Sequence, residues 1–253
     1  RMRERRESWW KEAGLSNPAQ RSDWLPTRIA DVVDALLPRT CFLCVAASGG
    51  ELLCPDCRDA LPVMPAQCCP LCALPTPGAA VCGACLKRSP HFDASHAAFR
   101  YEFPVDSLIH ALKYGHRLAS AKFLAGAMLS AAPRTVPDMI IPVPLAPNRL
   151  AERGFNQAVE LARPLARHWH VPLETRAVTR AIETLPQASL PWKERAKNIR
   201  HAFNCGIDLS GKSVLVVDDV MTTGATLNEL AGTLKACGAA RVENWVVARA
   251  LKA

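Results

Sequence analysis

No stretch of this sequence approaches the roughly 20 consecutive apolar residues that a membrane-spanning helix needs. Its first residues, Arg1 to Lys11, are charged and carry Trp9 and Trp10, and no apolar signal-peptide core follows them. The expected compartment is therefore the cytoplasm. Aromatic residues make up only 6% of the chain, so base-stacking platforms would be sparse. The seven histidines do not recur at ligand spacing, which argues against a histidine-based metal centre. What is present is a globular composition, with 253 residues, 49% hydrophobic and 21% charged. A chain of this size can bury one good core and a smaller module.

The formal charge of +8 is unevenly placed. Residues 1–85 are balanced, and the excess lies within 86–122 and 142–205. A basic middle suits a polyanion such as a pyrophosphate or a nucleic acid; it suits a solvated basic face equally well.

Cysteine is concentrated. Nine of the eleven cysteines fall between Cys41 and Cys85. Eight of them form a repeat with a 28-residue offset: Cys41, Cys44, Cys54 and Cys57, then Cys69, Cys72, Cys82 and Cys85. A Cys-x2-Cys turn aims two thiolates at one point, and two such turns supply the tetrahedral sulfur cage that zinc prefers. Ser48-Gly49-Gly50 and Thr76-Pro77-Gly78 supply turn signals between the pairs. The segment has few large apolar residues, so metal binding would supply the folding free energy that burial cannot, roughly 10 kcal/mol or more. A disulfide framework would need an oxidising compartment, and the odd total of eleven also counts against it. Two structural zinc sites are expected, with sequential pairing of the two quartets; interleaved pairing fits the spacing too. Cys205 and Cys237 stand apart and read as core residues.

Outside this segment the pattern alternates. Ile29, Val32, Val33, Leu36 and Leu37 predict a short amphipathic helix stopped by Pro38. Strands are predicted over 97–103, 139–143, 177–182, 213–217 and 242–247. Helices are predicted over 105–114, 120–132, 156–169 and 225–237, with Pro164 a kink in the third. Residues 183–204 are polar and basic and read as a long loop. Strands alternating with helices predict an α/β fold, a mostly parallel sheet with helices on both faces. Ligands of such sheets sit at the carboxyl ends of the strands.

One string carries most of the chemistry: Val214-Leu215-Val216-Val217-Asp218-Asp219-Val220-Met221-Thr222-Thr223-Gly224-Ala225-Thr226. An apolar strand delivers two acids, and a short Thr- and Gly-rich turn opens a helix. Gly224 permits close backbone approach. The turn's N–H groups and hydroxyls converge on a helix N-terminus, where a phosphate is well received. Acids beside a phosphate cradle would repel it unless they face ribose hydroxyls or a bound Mg2+.

This string resembles the phosphoribosyl pyrophosphate (PRPP) signature of type I phosphoribosyltransferases. The resemblance implies that Asp218 and Asp219 contact ribose hydroxyls and that Thr222 to Thr226 hold the 5′-phosphate, within a PRPP-binding stretch from Val217 through Val220, Met221, Thr223, Gly224 and Ala225. Ile141-Pro142-Val143-Pro144, Arg149, Arg153-Gly154-Phe155-Asn156-Gln157, Gln187, Leu190, Arg195, Asn198 and Phe203 add to it. With the cysteine repeat, they resemble the ComF family of competence proteins across about residues 25–250. The organisation implied is an N-terminal arm and helix over 1–38, a double zinc ribbon over 39–88 and a phosphoribosyltransferase-like domain over 89–253. The loop after Val143 would be the pyrophosphate loop, with Arg149, Arg153 and Lys113 offsetting leaving-group charge. Asn156 and Gln157 also fit caps and packing. Gln187, Lys193 and Arg195 would lie on a mobile loop that closes the site, where Trp192 could stack on a base. The cofactors implied are two Zn2+ and Mg2+ with PRPP. The partners implied are single-stranded DNA and a protein of the competence machinery, in DNA uptake. An active phosphoribosyltransferase on an unidentified acceptor, with no DNA role, is the alternative; a structural adaptor using the zinc module alone is the third reading.

Overall fold

The computed structural model of the protein describes residues 40–114, 118–131, 136–180 and 202–251. The expected helix at 29–37 and the residues Gln187, Trp192, Lys193 and Arg195 lie outside them.

The cysteine repeat is also a structural repeat. Helix α1 (Pro55–Asp59) and helix α2 (Gly83–Lys87) start at corresponding positions, each capped by a cysteine in extended conformation, Cys54 and Cys82. Thr40 bridges Ala47 as Cys68 bridges Pro75. The Cys41 N–H donates to Ala46 O, and the Cys69 N–H to Leu74 O, both at 2.7 Å.

The rest of the chain alternates as β1 (Ala94–Arg100), α3 (Val105–Tyr114), α4 (Leu118–Ala131), β2 (Met139–Pro142), α5 (Pro147–Arg153), α6 (Gln157–Trp169), β3 (Val178–Arg180), β4 (Phe203–Cys205), β5 (Ser213–Met221), α7 (Ala225–Ala236) and β6 (Arg241–Arg249). Four strands form one sheet in the order β1-β6-β5-β2, every neighbouring pair parallel. Strands β3 and β4 form a separate antiparallel hairpin.

The sheet separates two cores. Strand β5 is apolar on both sides, as a strand covered on both faces must be. Leu215 and Val217 turn into one core, Val214 and Val216 into the other. The first core receives α3 through Val105, Leu108, Ile109 and Leu112, spaced at helical period, together with α4 and α6. The second receives α7 through Leu227, Leu230, Ala231 and Leu234, and the hairpin through Val178 and Phe203. The first cysteine quartet packs with the first core through Leu53 and Cys54, and the second quartet packs with the second core through Cys69, Cys72 and Cys85. Between them the chain crosses the outer edge of β1. There the Met64 N–H donates to Ala98 O and the Arg100 N–H donates to Pro62 O. The edge strand is thereby covered.

The predicted elements change in four places. Strand β1 starts at Ala94 and ends at Arg100, since the 101–104 segment turns toward α3. Strand β5 runs on through both acids to Met221, because β6 pairs with it as far as Arg249. Phe203 and Asn204 leave the expected loop to pair with Arg180 and Thr179. Helix α5 occupies the expected loop after Val143; Pro147 at its first turn and Gly154 at its left-handed C-cap (φ 77°) bound it.

Candidate functional site

The carboxyl ends of the strands border a cleft of about 280 Å3. Its lining includes Tyr101, Lys113, Gln157, Arg180, Asp218 and Asp219, and the whole turn from Met221 to Leu227.

Alternation along β5 sends its two acids to opposite sides. Asp219, only 5% exposed, meets Lys113 of α3, with Nζ 3.0 Å from Oδ1. Burial works against the Lys113 charge, but Asp219 outweighs it and holds the ammonium pKa above its ordinary value. Asp219 Oδ2 is buried and has no hydrogen-bond partner among the described residues. Asp218 accepts the Asp219 N–H at 2.9 Å. Burial and the neighbouring Asp219 push the Asp218 carboxyl up to about 7, against the pull of Lys113 and Arg180.

The turn that follows opens helix α7. Gly224 caps α7 at φ 80°, and a Cβ there would stand 2.6 Å from Met221 Cε. The Thr223 hydroxyl accepts the Ala225 N–H at 3.1 Å. First-turn N–H groups of a helix have no intrahelical acceptor, and no acidic residue occupies the first turn of α7.

The structure gathers Lys113 and the whole stretch from Asp218 to Thr226 of the predicted residues; Val217 ends the fully buried part of β5 behind them. Arg153 reaches the rim. It donates to Gln157 Oε1 at 2.5 Å and lies over the Tyr114 ring, 5.1 Å from its centroid. Arg149 is outside the lining and pairs with Glu152 at 3.1 Å. Asn156 caps α6 by accepting the Ala158 N–H and donates to Val143 O, which ties α6 to the end of β2. Arg180 is the cation that sequence reasoning missed; it sits over Phe203, 5.7 Å from the ring centroid, and only the hairpin brings it to the cleft.

The cysteines form two quartets in sequence order, Cys41-Cys44-Cys54-Cys57 and Cys69-Cys72-Cys82-Cys85, each with its sulfurs within 4.8 Å of one another. Cys44 and Cys54 Sγ are 3.5 Å apart, as are Cys72 and Cys82. Sulfurs on a tetrahedron at ~2.3 Å from zinc stand roughly 3.8 Å apart, so the cages fit that ion with no open position. Burial opposes ionisation of Cys41, but the N–H groups of Cys44, Cys54 and Leu43 overcome it and lower the thiol to about 6. In the second cage, Cys69 is lowered to about 7 against burial by the N–H groups of Cys82, Cys72 and Leu71. Cys205 and Cys237 are not solitary. They adjoin each other, with Cys237 Sγ 3.9 Å from Cys205 O.

Two domain families match this arrangement, the double zinc ribbon domain over residues 32–86 and the phosphoribosyl transferase domain over residues 151–252. The protein is thus a double zinc ribbon joined to a phosphoribosyl transferase fold. The chain is 36% identical over 225 residues to the DNA utilization protein YhgH of Escherichia coli (strain K12), covering 85% of this chain and 99% of that one. It is 35% identical over 179 residues to competence protein F of Haemophilus influenzae, covering 67% and 78%. It is 27% identical over 214 residues to competence protein ComFC of Bacillus subtilis, covering 79% and 85%. The chain belongs to the ComF family. Among the described residues, no helix is long and apolar enough to cross a membrane.

Proposed function

We propose that this chain binds PRPP with Mg2+ in the cleft at the ends of β1, β2 and β5, and that it does so in the handling of single-stranded DNA during uptake. The observation that carries the ligand is the pairing of an acceptor with a cradle. Asp219 Oδ2 is buried without a partner among the described residues, beside a turn whose helix N-terminus carries no acid. A buried carboxylate oxygen left unsatisfied is costly, and a ribose hydroxyl would satisfy it. Asp218 and Asp219 take the ribose hydroxyls, and Thr222 to Thr226 take the 5′-phosphate. Lys113 and Arg180 border the space left for pyrophosphate, and Arg153 approaches it through Gln157. Mg2+, when bound, supplies neutralisation of pyrophosphate charge. The names of the relatives and the basic middle of the chain support the DNA role.

Calorimetric titration of PRPP with Mg2+ into the zinc-loaded protein tests the ligand. An Asp218→Asn, Asp219→Asn double variant should lose the binding while keeping its circular dichroism. Unchanged affinity in that variant would sink the assignment. Binding of labelled single-stranded DNA should weaken steeply with salt. Pyrophosphate release on addition of an acceptor, with no DNA binding at any salt, would make the chain an active glycosyl transferase instead.

A further inference from the structure

The last strand ends on a buried arginine. Arg249 is 4% exposed, and among the described residues no carboxylate forms an ion pair with it. Its guanidinium is spent on carbonyl oxygens from two parts of the protein. Nε donates to Cys72 O at 2.8 Å, inside the second cysteine cage. Nη1 donates to Met221 O and Ala250 O at 2.8 Å each, and to Thr222 O. Met221 is the last residue of β5 and Thr222 the first of the phosphate turn.

A charge held this deep needs a counter-charge. Zinc held by four thiolates keeps a net charge of about −2, since each thiolate brings one negative charge. Cys72, whose carbonyl accepts from Arg249 Nε, belongs to that cage, so the negative charge stands beside the guanidinium. In turn, Arg249 fixes the direction of the two carbonyls that lead into the turn, and with them the N–H groups on the far side of those peptides. A guanidinium can reach both parts at once. A lysine, with one nitrogen, cannot donate to Cys72 O and Met221 O in the same fork.

We infer that Arg249 is a positioning residue that couples the second zinc site to the phosphate turn, so that metal held by Cys69, Cys72, Cys82 and Cys85 sets the affinity of the turn for a phosphorylated ribose. The first cage packs in the opposite core and serves as the internal control. The affinity arm of the test rests on the reading of the cleft given above; the exchange arm does not.

The test uses the full chain in four forms: wild type, Arg249→Lys, Cys85→Ser and Cys57→Ser. Zinc content, ribose 5-phosphate affinity and hydrogen exchange of peptides spanning Met221–Thr226 are measured for each, with exchange referenced to α6. Arg249→Lys should keep both zinc ions, exchange faster at Met221–Thr226 and bind ribose 5-phosphate about tenfold more weakly, the loss of one charge-assisted hydrogen bond. Cys85→Ser should raise exchange in the same peptides, and Cys57→Ser should not. Equal exchange in wild type, Arg249→Lys and Cys85→Ser overturns the coupling. So does an equal rise in Cys57→Ser and Cys85→Ser, which would mean general loosening. If Arg249→Lys does not fold, the two cysteine variants decide alone. If wild type fails to bind ribose 5-phosphate, the ligand reading fails while the exchange comparison still decides the coupling.

Discussion

Removing the Lys113 charge should destabilise the protein far more than removing an exposed one. The Lys113 and Asp219 side chains are 22% and 7% exposed, with 3.0 Å between Nζ and Oδ1. Lys113→Met would leave Asp219 buried with neither oxygen partnered, because Oδ2 already lacks a partner among the described residues. Breaking a buried pair from one side costs about 3–5 kcal/mol, and the residual exposure of Lys113 places the expectation near ~3 kcal/mol. For a chain of this size, that lowers the midpoint of thermal unfolding by roughly 6–12 °C. The assay is thermal unfolding of zinc-loaded protein at pH 7, beside Lys122→Met, whose lysine lies exposed on α4. Lys113→Met with Asp219→Asn should recover part of the loss, since the uncompensated charge is gone. The pH dependence has a definite sign. The folded pKa of Lys113 is raised, so its contribution is fully present below its unfolded value of about 10.4 and disappears as pH climbs through the folded value. Equal effects of Lys113→Met and Lys122→Met at pH 7 would refute the reasoning.

Asp218 titrates in the opposite sense from an ion-paired acid: its folded pKa is raised from 3.8 to about 7, so its contribution is present below 3.8 and lost as pH rises through 7. Asp218→Asn should therefore gain stability relative to wild type between those limits, and a stability difference that stays flat with pH, measured by urea unfolding, would contradict the shift. Gly224→Ala should cost about 1–2 kcal/mol, because φ 80° is a left-handed conformation; the Met221 methyl at 2.6 Å can swing away, so a much larger loss in urea unfolding would contradict that origin. Native zinc-loaded protein should react with a thiol reagent only at Cys68, Cys205 and Cys237, and the remaining cysteines of the eleven should appear only after chelation. Elemental analysis should find two zinc ions per chain.

What the sequence made legible was local. Helix α3 follows from Val105, Leu108, Ile109 and Leu112, whose period is visible in the string itself. The turn at Thr222–Thr226 announces itself because a strand, two acids and a helix start lie side by side. The sequential cysteine cages match the 28-residue repeat because each cage closes within 17 residues or so of chain, a short loop with a small entropy cost. The failures were long-range. Arg180 looks like one more cation in a basic stretch, and only pairing with Phe203 brings it to the cleft. Arg249 looks like an ordinary strand end, and its partners lie 28 and 177 residues away. Arg149 lies on α5, in the segment after Val143, and pairs with Glu152 three residues on.

The placement of the two ribbons bears on how the zinc module can act. A free-standing adaptor would keep its cages apart from the sheet. Here the first cage shares a core with Leu215, Val217 and Trp245, and the second with Val214, Val216 and Val246. The crossing segment, with Val63 bridged to Phe99, seals the edge of β1. A partner or DNA strand that pulled on one ribbon would strain a core face as well as a metal site. The second ribbon also holds the Cys72 carbonyl, which accepts from the same guanidinium that donates to Met221 O and Thr222 O. Any event at that ribbon is therefore one side chain from the cleft. The reading of the module as an independent adaptor accounts for none of these contacts.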